Sequence, residues 1–441
     1  MPLWTNWAGQ QHCAPHAIER PGSEAELAGA VARAAELGLK VKAAGSGHSF
    51  TDIACTDGVM VHLGRMNRVL DAESASGLVR VQAGITLREL GAELAQRGLA
   101  MENQGDVDPQ SLAGAISTAT HGTGPRFGNL ATQIAAMRLV TASGEVVELS
   151  EETDRDDWLA ARVGLGCLGV ISEVTLRCVP LFTLRRVDDV MALEEAIARF
   201  DELADSHDHW EFFTFPYTDV ALTRASTRTD EPPDPPPAWR AFVEDVLQVN
   251  AALGASCHVG SRLPRAIPAL NRAIARAAGR SVRSDHSYRV YANRRSVVFT
   301  EMEYAIPRAT AGVAVERVMD LVERRRLPVS FPLEVRVVAP DDAYLSTAHG
   351  RETAYVAVHM FRGTEFESYF RGVEAIMDDY GGRPHWGKRH YKSAADLRER
   401  YPEWDRFQDV RARLDPEGVF QNDYTERVLG PVGAAAPAPA A

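Results

Sequence analysis

The chain lacks several things, and each lack removes a class of function. No apolar run approaches the roughly 18 residues that a membrane-spanning helix needs, although hydrophobic residues make up 45% of the 441 positions. The start, MPLWTNWAGQQ, has no basic stretch followed by an apolar block, so no secretory leader is expected. Positive charge is in deficit. The formal net charge is −12, against the basic surface that general nucleic-acid binding needs to replace counterions. The five cysteines (Cys13, Cys55, Cys167, Cys178 and Cys257) are odd in number and form no CxxC pair, which fits a reducing compartment and argues against structural zinc. No segment repeats. A soluble cytoplasmic protein is expected, with no membrane span, nucleic-acid partner or bound metal. Its 24% charged residues are an ordinary globular share, and its length suggests two or three domains.

Residues 229–237, TDEPPDPPP, are too proline-rich for a helix or inner strand and should form an exposed loop. The tail 431–441 is expected to be disordered. SEAE, from Ser23 to Glu26, is a capping-box pattern opening a helix that carries Leu27, Val31 and Ala34 and stops near Gly38. Strands are expected at LKVKAA, GVMVHL, NRVLDA and LVRVQAG, and Thr86 should cap a helix running to Gln96. IAAMRLVTASGEVVEL reads as a hairpin turning at Ser143-Gly144, and LGVISEVTLRCVP as a strand ended by Pro180. Farther on, ALEEAIARFDELA reads as one helix, HWEFFTFPY as a strand and 239–278 as a long helical region. SVVFTEMEYAIP, PLEVRVVA and TAYVAVHMFR read as strands, with helices near 311–324 and 365–380. Such mixing suggests an α+β domain over an antiparallel sheet.

What is there is glycine in loops. AAGSGHS, residues 43–49, follows a strand and carries His48 inside a turn of small residues. A Walker loop needs GxxxxGK[ST], which is missing. A Rossmann fingerprint needs a helix after the glycines, whereas TDIACTDGVMVHL is not helical. A lipase elbow needs GxSxG, and Gly45 to Ser49 reads GSGHS. What survives is a backbone nest for an anion, with an ordinary tight turn as the plain alternative. A second run, 103–129, holds five glycines and the hydroxyls of Ser111, Ser117, Thr118, Thr120 and Thr123, with Gly114 and Ala119 small enough for close approach. GLGCLGVISEV adds Gly164, Gly166 and Gly169. Three such runs suggest one domain wrapping an extended dinucleotide.

On GSGHS and the AG…THGTG segment the chain resembles the vanillyl-alcohol-oxidase type of flavoproteins. PLEVR, RPHWGK and LDPEGVFQNDY narrow the resemblance to the sugar-1,4-lactone and alditol oxidase branch, from Asn6 to Gly430. It implies an α+β fold with a two-part PCMH-type FAD-binding domain (1–180), an α+β cap with an antiparallel sheet (181–390) and a C-terminal segment (391–430) returning to the first. It implies FAD as cofactor, its pyrophosphate on Ala43, Ala44, Gly45, Ser46, Gly47, His48 and Ser49, with His48 linked covalently to the flavin 8α-methyl carbon. Gly105, Asp106, Ser111, Gly114, Thr118, Ala119, Thr120 and His121 would lie along the flavin and its phosphate chain, and Ile171 at the adenine end. Asn422 and Tyr424 would return to the cofactor, a capped turn with a core tyrosine being the plain alternative.

Spacing alone puts Glu334 and Arg336 on one face of a strand and the apolar odd-numbered residues on the other, a pattern that a surface ion pair would also satisfy. The resemblance makes them the active-site Glu-x-Arg. Glu334 would accept hydrogen bonds from substrate hydroxyls, Arg336 would bind substrate oxygen and support negative charge near flavin N1, and Lys388 would be a second cation there. His385 and Trp386 would shape the turn before it. Asp106, His359 and Phe361 would also face the substrate, His359 being equally readable as a core histidine. The reaction implied is hydride transfer to flavin N5 from the carbinol beside the carbonyl of an L-gulono-, L-galactono- or D-arabinono-1,4-lactone, with oxygen reoxidising the flavin to give hydrogen peroxide. Alditol oxidation is the near rival; Asp106 and Phe361 lean towards a lactone, since alditol-type members tend to carry small polar residues there. Glycine at 105 favours oxygen as acceptor, and a lactone dehydrogenase using another acceptor is the other alternative.

Overall fold

The computed structural model describes residues 2–235, 237, 251–293 and 295–433. Its first part is built as local signals dictate. Ser23 caps the helix Glu24–Glu36 by accepting from the Glu26 N–H, and Leu27, Ala30, Val31 and Ala34 form its buried stripe. Gly38 closes the helix with φ +68°, and the chain enters the strand Val41–Ala44. That strand lies parallel to Val59–His62, which pairs in parallel with Ala17–Glu19. An antiparallel five-stranded sheet follows in the order Val146–Ser150, Ile134–Val140, Val170–Arg177, Leu78–Gln82, Val69–Glu73. The expected hairpin is present, Gly144 turning at φ +81°. Thr86 and Glu89 form a complete capping box at the start of Leu87–Gln96.

The second part is organised by an antiparallel eight-stranded sheet. Its order is Ser281–His286, Thr183–Ala192, Val220–Thr229, His209–Thr214, Leu333–Val338, Thr353–Phe361, Phe299–Pro307, Arg383–Pro384. One face packs on the helices Ala311–Arg325 and Glu367–Asp378, where Val335, Val337, Val356 and Val358 meet Val318, Val322 and Phe370. Each such side chain contributes about 1.5–3 kcal/mol by leaving water. The first core extends beyond the first part, since Trp386, Tyr401, Phe420 and Tyr424 pack into the cluster that holds Leu27, Val81 and Leu139. The C-terminal residues therefore rest against the glycine-rich loops.

Several elements differ from expectation. The helix expected over ALEEAIARFDELA is two short ones, Leu193–Ala198 and Phe200–Asp205, broken where Arg199 leaves helical geometry (φ −104°, ψ 16°). The long helical region is interrupted at Leu263-Pro264, giving Ala252–Arg262 and Ile267–Ala277, because proline cannot donate to the preceding turn; its portion 239–250 lies outside the described residues. The strand expected to run through to Pro180 stops at Arg177, and Val179–Pro180 form a separate short strand paired with Leu99–Ala100. The strands Thr183–Ala192, Val220–Thr229 and Ser281–His286 and the helix Trp404–Leu414 had no counterpart in the sequence reading. The proline-rich loop touches the sheet edge once, the Asp234 N–H donating to the Ser284 carbonyl at 3.0 Å. Of the tail, 434–441 lie outside the described residues. Among those described, no helix is long and apolar enough to cross a membrane.

Candidate active site

The three glycine-rich runs converge. They line one cavity of about 510 Å³, with Asn293, Arg295, Phe299, Glu301, His385, Gly387 and Lys388 at its other end. Ligand sites commonly enclose ~300–1,000 Å³. The loop after Val41–Ala44 is pinned from outside: the Gly47 carbonyl accepts from Trp7 N–H (2.8 Å) and the Ser49 carbonyl from Asn6 Nδ2 (2.9 Å). Its own backbone donors are left over. The N–H groups of Ser46, Gly47, His48 and Ser49 make no hydrogen bond among the described residues, the donor set of an anion nest. Gly47 has φ +71°, and a Cβ on Gly45 would overlap Ser111 Oγ, so glycine is required at both places. His48 lies on the cavity wall against Trp7, ring centroids 5.4 Å apart. Burial, reinforced by the Lys388 charge, lowers its pKa to about 4, so the imidazole is neutral at physiological pH.

Lys42 underlies the loop. It is buried and its Nζ donates to the carbonyls of Leu165 (3.3 Å), Gly166 (3.0 Å) and Phe420 (3.1 Å). Leu165 and Gly166 have φ of +52° and +61°, so this ammonium ties down a tight turn of the third glycine-rich run.

The other end is an ion network. Lys388 Nζ stands 2.5 Å from Glu301 and 3.9 Å from Glu303. Burial would raise both carboxyls, but Lys388 and His359 hold Glu301 at about 2, and His121 with Lys388 keeps Glu303 well below the carboxylate range. Glu334 and Arg336 share a face as their spacing requires, while Leu333, Val335 and Val337 turn to the core. Arg336 contacts Glu334, donates to Glu211 at 2.8 Å and lies 3.5 Å from Asp106. Burial pushes the Glu334 carboxyl up in spite of Arg336. Arg295 connects this buried pair to the cavity, touching Asp106 and lying 3.7 Å from Glu334.

The model of the D-arabinono-1,4-lactone oxidase family matches residues 174–428, and that of an FAD-binding domain residues 15–150. The chain belongs to the D-arabinono-1,4-lactone oxidase family. It is similar to the L-gulono-1,4-lactone dehydrogenase of Mycobacterium tuberculosis, 60% identical over 98% of this chain and 100% of the relative. It is also similar to the L-gulonolactone oxidase of Mus musculus (35% identical, covering 96% and 97% of the two chains) and to the alditol oxidase of a Streptomyces species (32%, covering 96% and 98%). Among solved structures, a solvent-stable cholesterol oxidase superposes with a TM-score of 0.83 at 20% identity over 97% of both chains, a likeness of fold. The fold class is the expected one, a PCMH-type FAD-binding architecture with an antiparallel α+β cap, and the protein is an FAD-binding oxidoreductase.

Within this family architecture the residues present suit FAD. The loop after Val41–Ala44 offers four backbone donors with no partner among the described residues, and a Cβ at Gly45 would collide with Ser111 on the facing wall. Of the residues expected at the cofactor, Ala43 to Ser49, Ser111, Gly114, Thr118, Thr120 and Ile171 line the cavity. Gly105, Asp106, Ala119 and His121 lie behind that wall. A Cβ at Gly105 would meet the His121 carbonyl at 3.0 Å rather than open space, and Asp106 is committed to the two arginines. Asn422 and Tyr424 also lie off the wall and act by bracing it. Asn422 caps the helix Asp423–Leu429 and donates to the carbonyls of Asp52, Ile53 and Cys55, and Tyr424 donates to the Trp386 carbonyl at 2.8 Å.

On the substrate side Lys388 lines the cavity, whereas Glu334, Arg336, His359 and Phe361 do not. His359 donates through Nδ1 to the Pro332 carbonyl (3.1 Å) and presents Nε2 to Glu301 at 3.4 Å, so it supports a wall residue. Phe361 packs edge-on against His258. His385 does shape its turn, its Nδ1 accepting from Gly387 N–H at 3.0 Å. Arg295, Glu301, Glu303 and Glu211 escaped the sequence reading. Glu301 and Glu303 had a signal, two acids at i, i+2 within an apolar strand; Arg295 had none. His121, Glu303 and His385 lie close enough to resemble metal ligands, but the Lys388 ammonium 3.9 Å from Glu303 already supplies the positive charge.

Proposed function

We propose that the protein oxidises an aldono-1,4-lactone of the L-gulono, L-galactono or D-arabinono type at the carbinol next to the carbonyl, giving an ascorbate-type product. Residues 1–180 and 391–430 would hold FAD and 181–390 would form the substrate cap. The observation that carries this reading is the ion network at one end of the FAD cavity, where Lys388, Arg295 and Glu301 on the wall join the buried Glu334–Arg336 pair. Bound FAD would supply the hydride acceptor. His48, a neutral imidazole at the cavity rim, would anchor it covalently. Glu334, with its raised pKa, would accept the hydrogen bond and then the proton of the carbinol hydroxyl. Arg336 and Lys388 would offset the negative charge that develops at this end, and the aromatic wall of Trp7, Phe50 and Phe299 would keep water from it.

The glycine at 105 supports oxygen as the acceptor, with release of hydrogen peroxide. A second reading, a dehydrogenase using another acceptor, is favoured by the name of the 60% identical mycobacterial relative and by the direction of the absent Cβ at Gly105. Turnover of the three lactones beside xylitol and sorbitol, with peroxide and an artificial dye followed in parallel, tests both. Activity on polyols alone would reject the lactone assignment. Reoxidation of the reduced enzyme over many minutes in air-saturated buffer would reject oxygen.

A further inference from the structure

Arg295 stands where the cavity meets the buried network. Its side chain lines the cavity and is 27% exposed, while those of Glu334 and Arg336 are 5% and 9% exposed and form no part of the wall. Among the described residues its ion contacts, to Asp106 and to Glu334, are made through Nη2. Nε and Nη1 donate no hydrogen bond among the described residues. Asp106 fixes this arrangement twice: its carboxylate takes Nη2, and its carbonyl accepts from Asn293 N–H at 3.0 Å, two residues before the arginine. The guanidinium also lies over the Phe299 ring, 5.5 Å from its centre. Asp106 thus aims a cation into the cavity from behind.

A guanidinium only donates and a carboxylate only accepts. On the cavity wall the guanidinium is that of Arg295 and the carboxylate that of Glu301, with Glu334 Oε2 off the wall, 3.7 Å from Arg295 Nη2. They suit a ligand whose neighbouring carbons carry an oxygen that only accepts and a hydroxyl that donates. A lactone carbonyl beside its carbinol is such a pair. A polyol places a hydroxyl where the lactone has its carbonyl; that oxygen can also accept from a guanidinium, but its own proton then needs an acceptor, which Arg295 cannot be. We propose that Arg295, aimed by Asp106, recognises the lactone carbonyl and sets the preference for lactone over polyol. This rests on the lactone reading above and adds to it the residue that enforces it.

The test compares L-gulono-1,4-lactone with the matching 1,4-anhydroalditol, in which CH2 replaces the carbonyl, as substrate and competitive inhibitor of the holoenzyme. Arg295→Met should raise the lactone KM about 10- to 100-fold, the loss of a charged hydrogen bond, and leave the inhibitor constant of the anhydro compound within about twofold. Arg295→Lys should recover part of the loss, and Asp106→Asn should move the lactone alone, as Arg295→Met does. If lactone and anhydro compound weaken together, the arginine is structural and the proposal falls; an unchanged lactone KM also overturns it. Should Arg295→Met lose its flavin, the same comparison in Arg295→Lys decides. A wild-type enzyme that turns over no lactone overturns the substrate assignment and this inference with it, and is recognised because no variant is involved.

Discussion

Lys42→Met isolates one buried charge. Wild-type Lys42 is 2% exposed, and burial lowers its pKa from the ordinary 10.5 to about 8. That difference corresponds to about 3 kcal/mol. Because the folded-state value is the lower one, both states are protonated below about pH 8 and folding carries the full cost of burying the ammonium. Between about pH 8 and 10.5 the unfolded chain binds more proton, so stability rises with pH and the cost disappears. The neutral amine can still donate to two of its three carbonyl partners. Methionine has no such titration and leaves all three carbonyls of Leu165, Gly166 and Phe420 without this donor. The wild-type-minus-variant stability should therefore grow by about 3 kcal/mol across that window. At ~2.1 cal/mol/K per residue, a chain of 441 residues shifts by about 1 °C per kcal/mol. Thermal melts of both holoproteins from about pH 7.5 to 10.5 should show the Tm difference widening by about 3 °C. A flat or narrowing difference would refute a buried ammonium at this position.

Three further outcomes are expected. Gly45→Ala forces a Cβ onto Ser111 Oγ and should cut flavin retention about tenfold or more; adding Ser111→Ala should restore much of it, read from the flavin-to-protein absorbance ratio. Arg336→Met leaves Glu334, Glu211 and Asp106 short of a cation and should lower the unfolding free energy by about 3–5 kcal/mol; an unchanged urea midpoint contradicts this. His48 stays neutral above about pH 4. Acid-precipitated wild-type protein should then remain yellow while His48→Ala loses its colour, and flavin attachment to apoprotein should be flat from about pH 5.5 to 8 rather than falling below 6.5 as an ordinary histidine would.

Short-range chemistry was readable in the sequence. The caps at Ser23 and Thr86 act within four residues, and the alternation of Leu333, Glu334, Val335 and Arg336 dictates which side chains share a face. The glycine-rich runs announced the cavity because close approach constrains residue type directly. The strands Thr183–Ala192 and Val220–Thr229 were invisible for a physical reason. Their inward positions include Arg186, Asp188 and Arg224, which neutralise one another across the sheet, so the usual apolar alternation is replaced by a ladder of charges. Arg295 could not be found at all, since its meaning depends on Asp106 lying 189 positions earlier. Glu334 and Arg336 were identified, but their retreat behind the cavity wall is a matter of depth, which spacing does not encode.

The bracing by Asn422 has a consequence for how the protein is made. Its amide holds the Asp52 carbonyl across 370 positions, and Phe420 completes the cradle of Lys42. At ~5–20 residues per second of synthesis, the first cofactor loop waits roughly 20–70 s for these partners to be translated. The nascent N-terminal half would emerge as an open cup, with the carbonyls of Asp52, Ile53 and Cys55 short of the Asn422 amide and Lys42 short of one of its three acceptors. Flavin capture would then follow translation of these residues, and truncation before Phe420 should impair cofactor loading as severely as damage to the glycine loop itself.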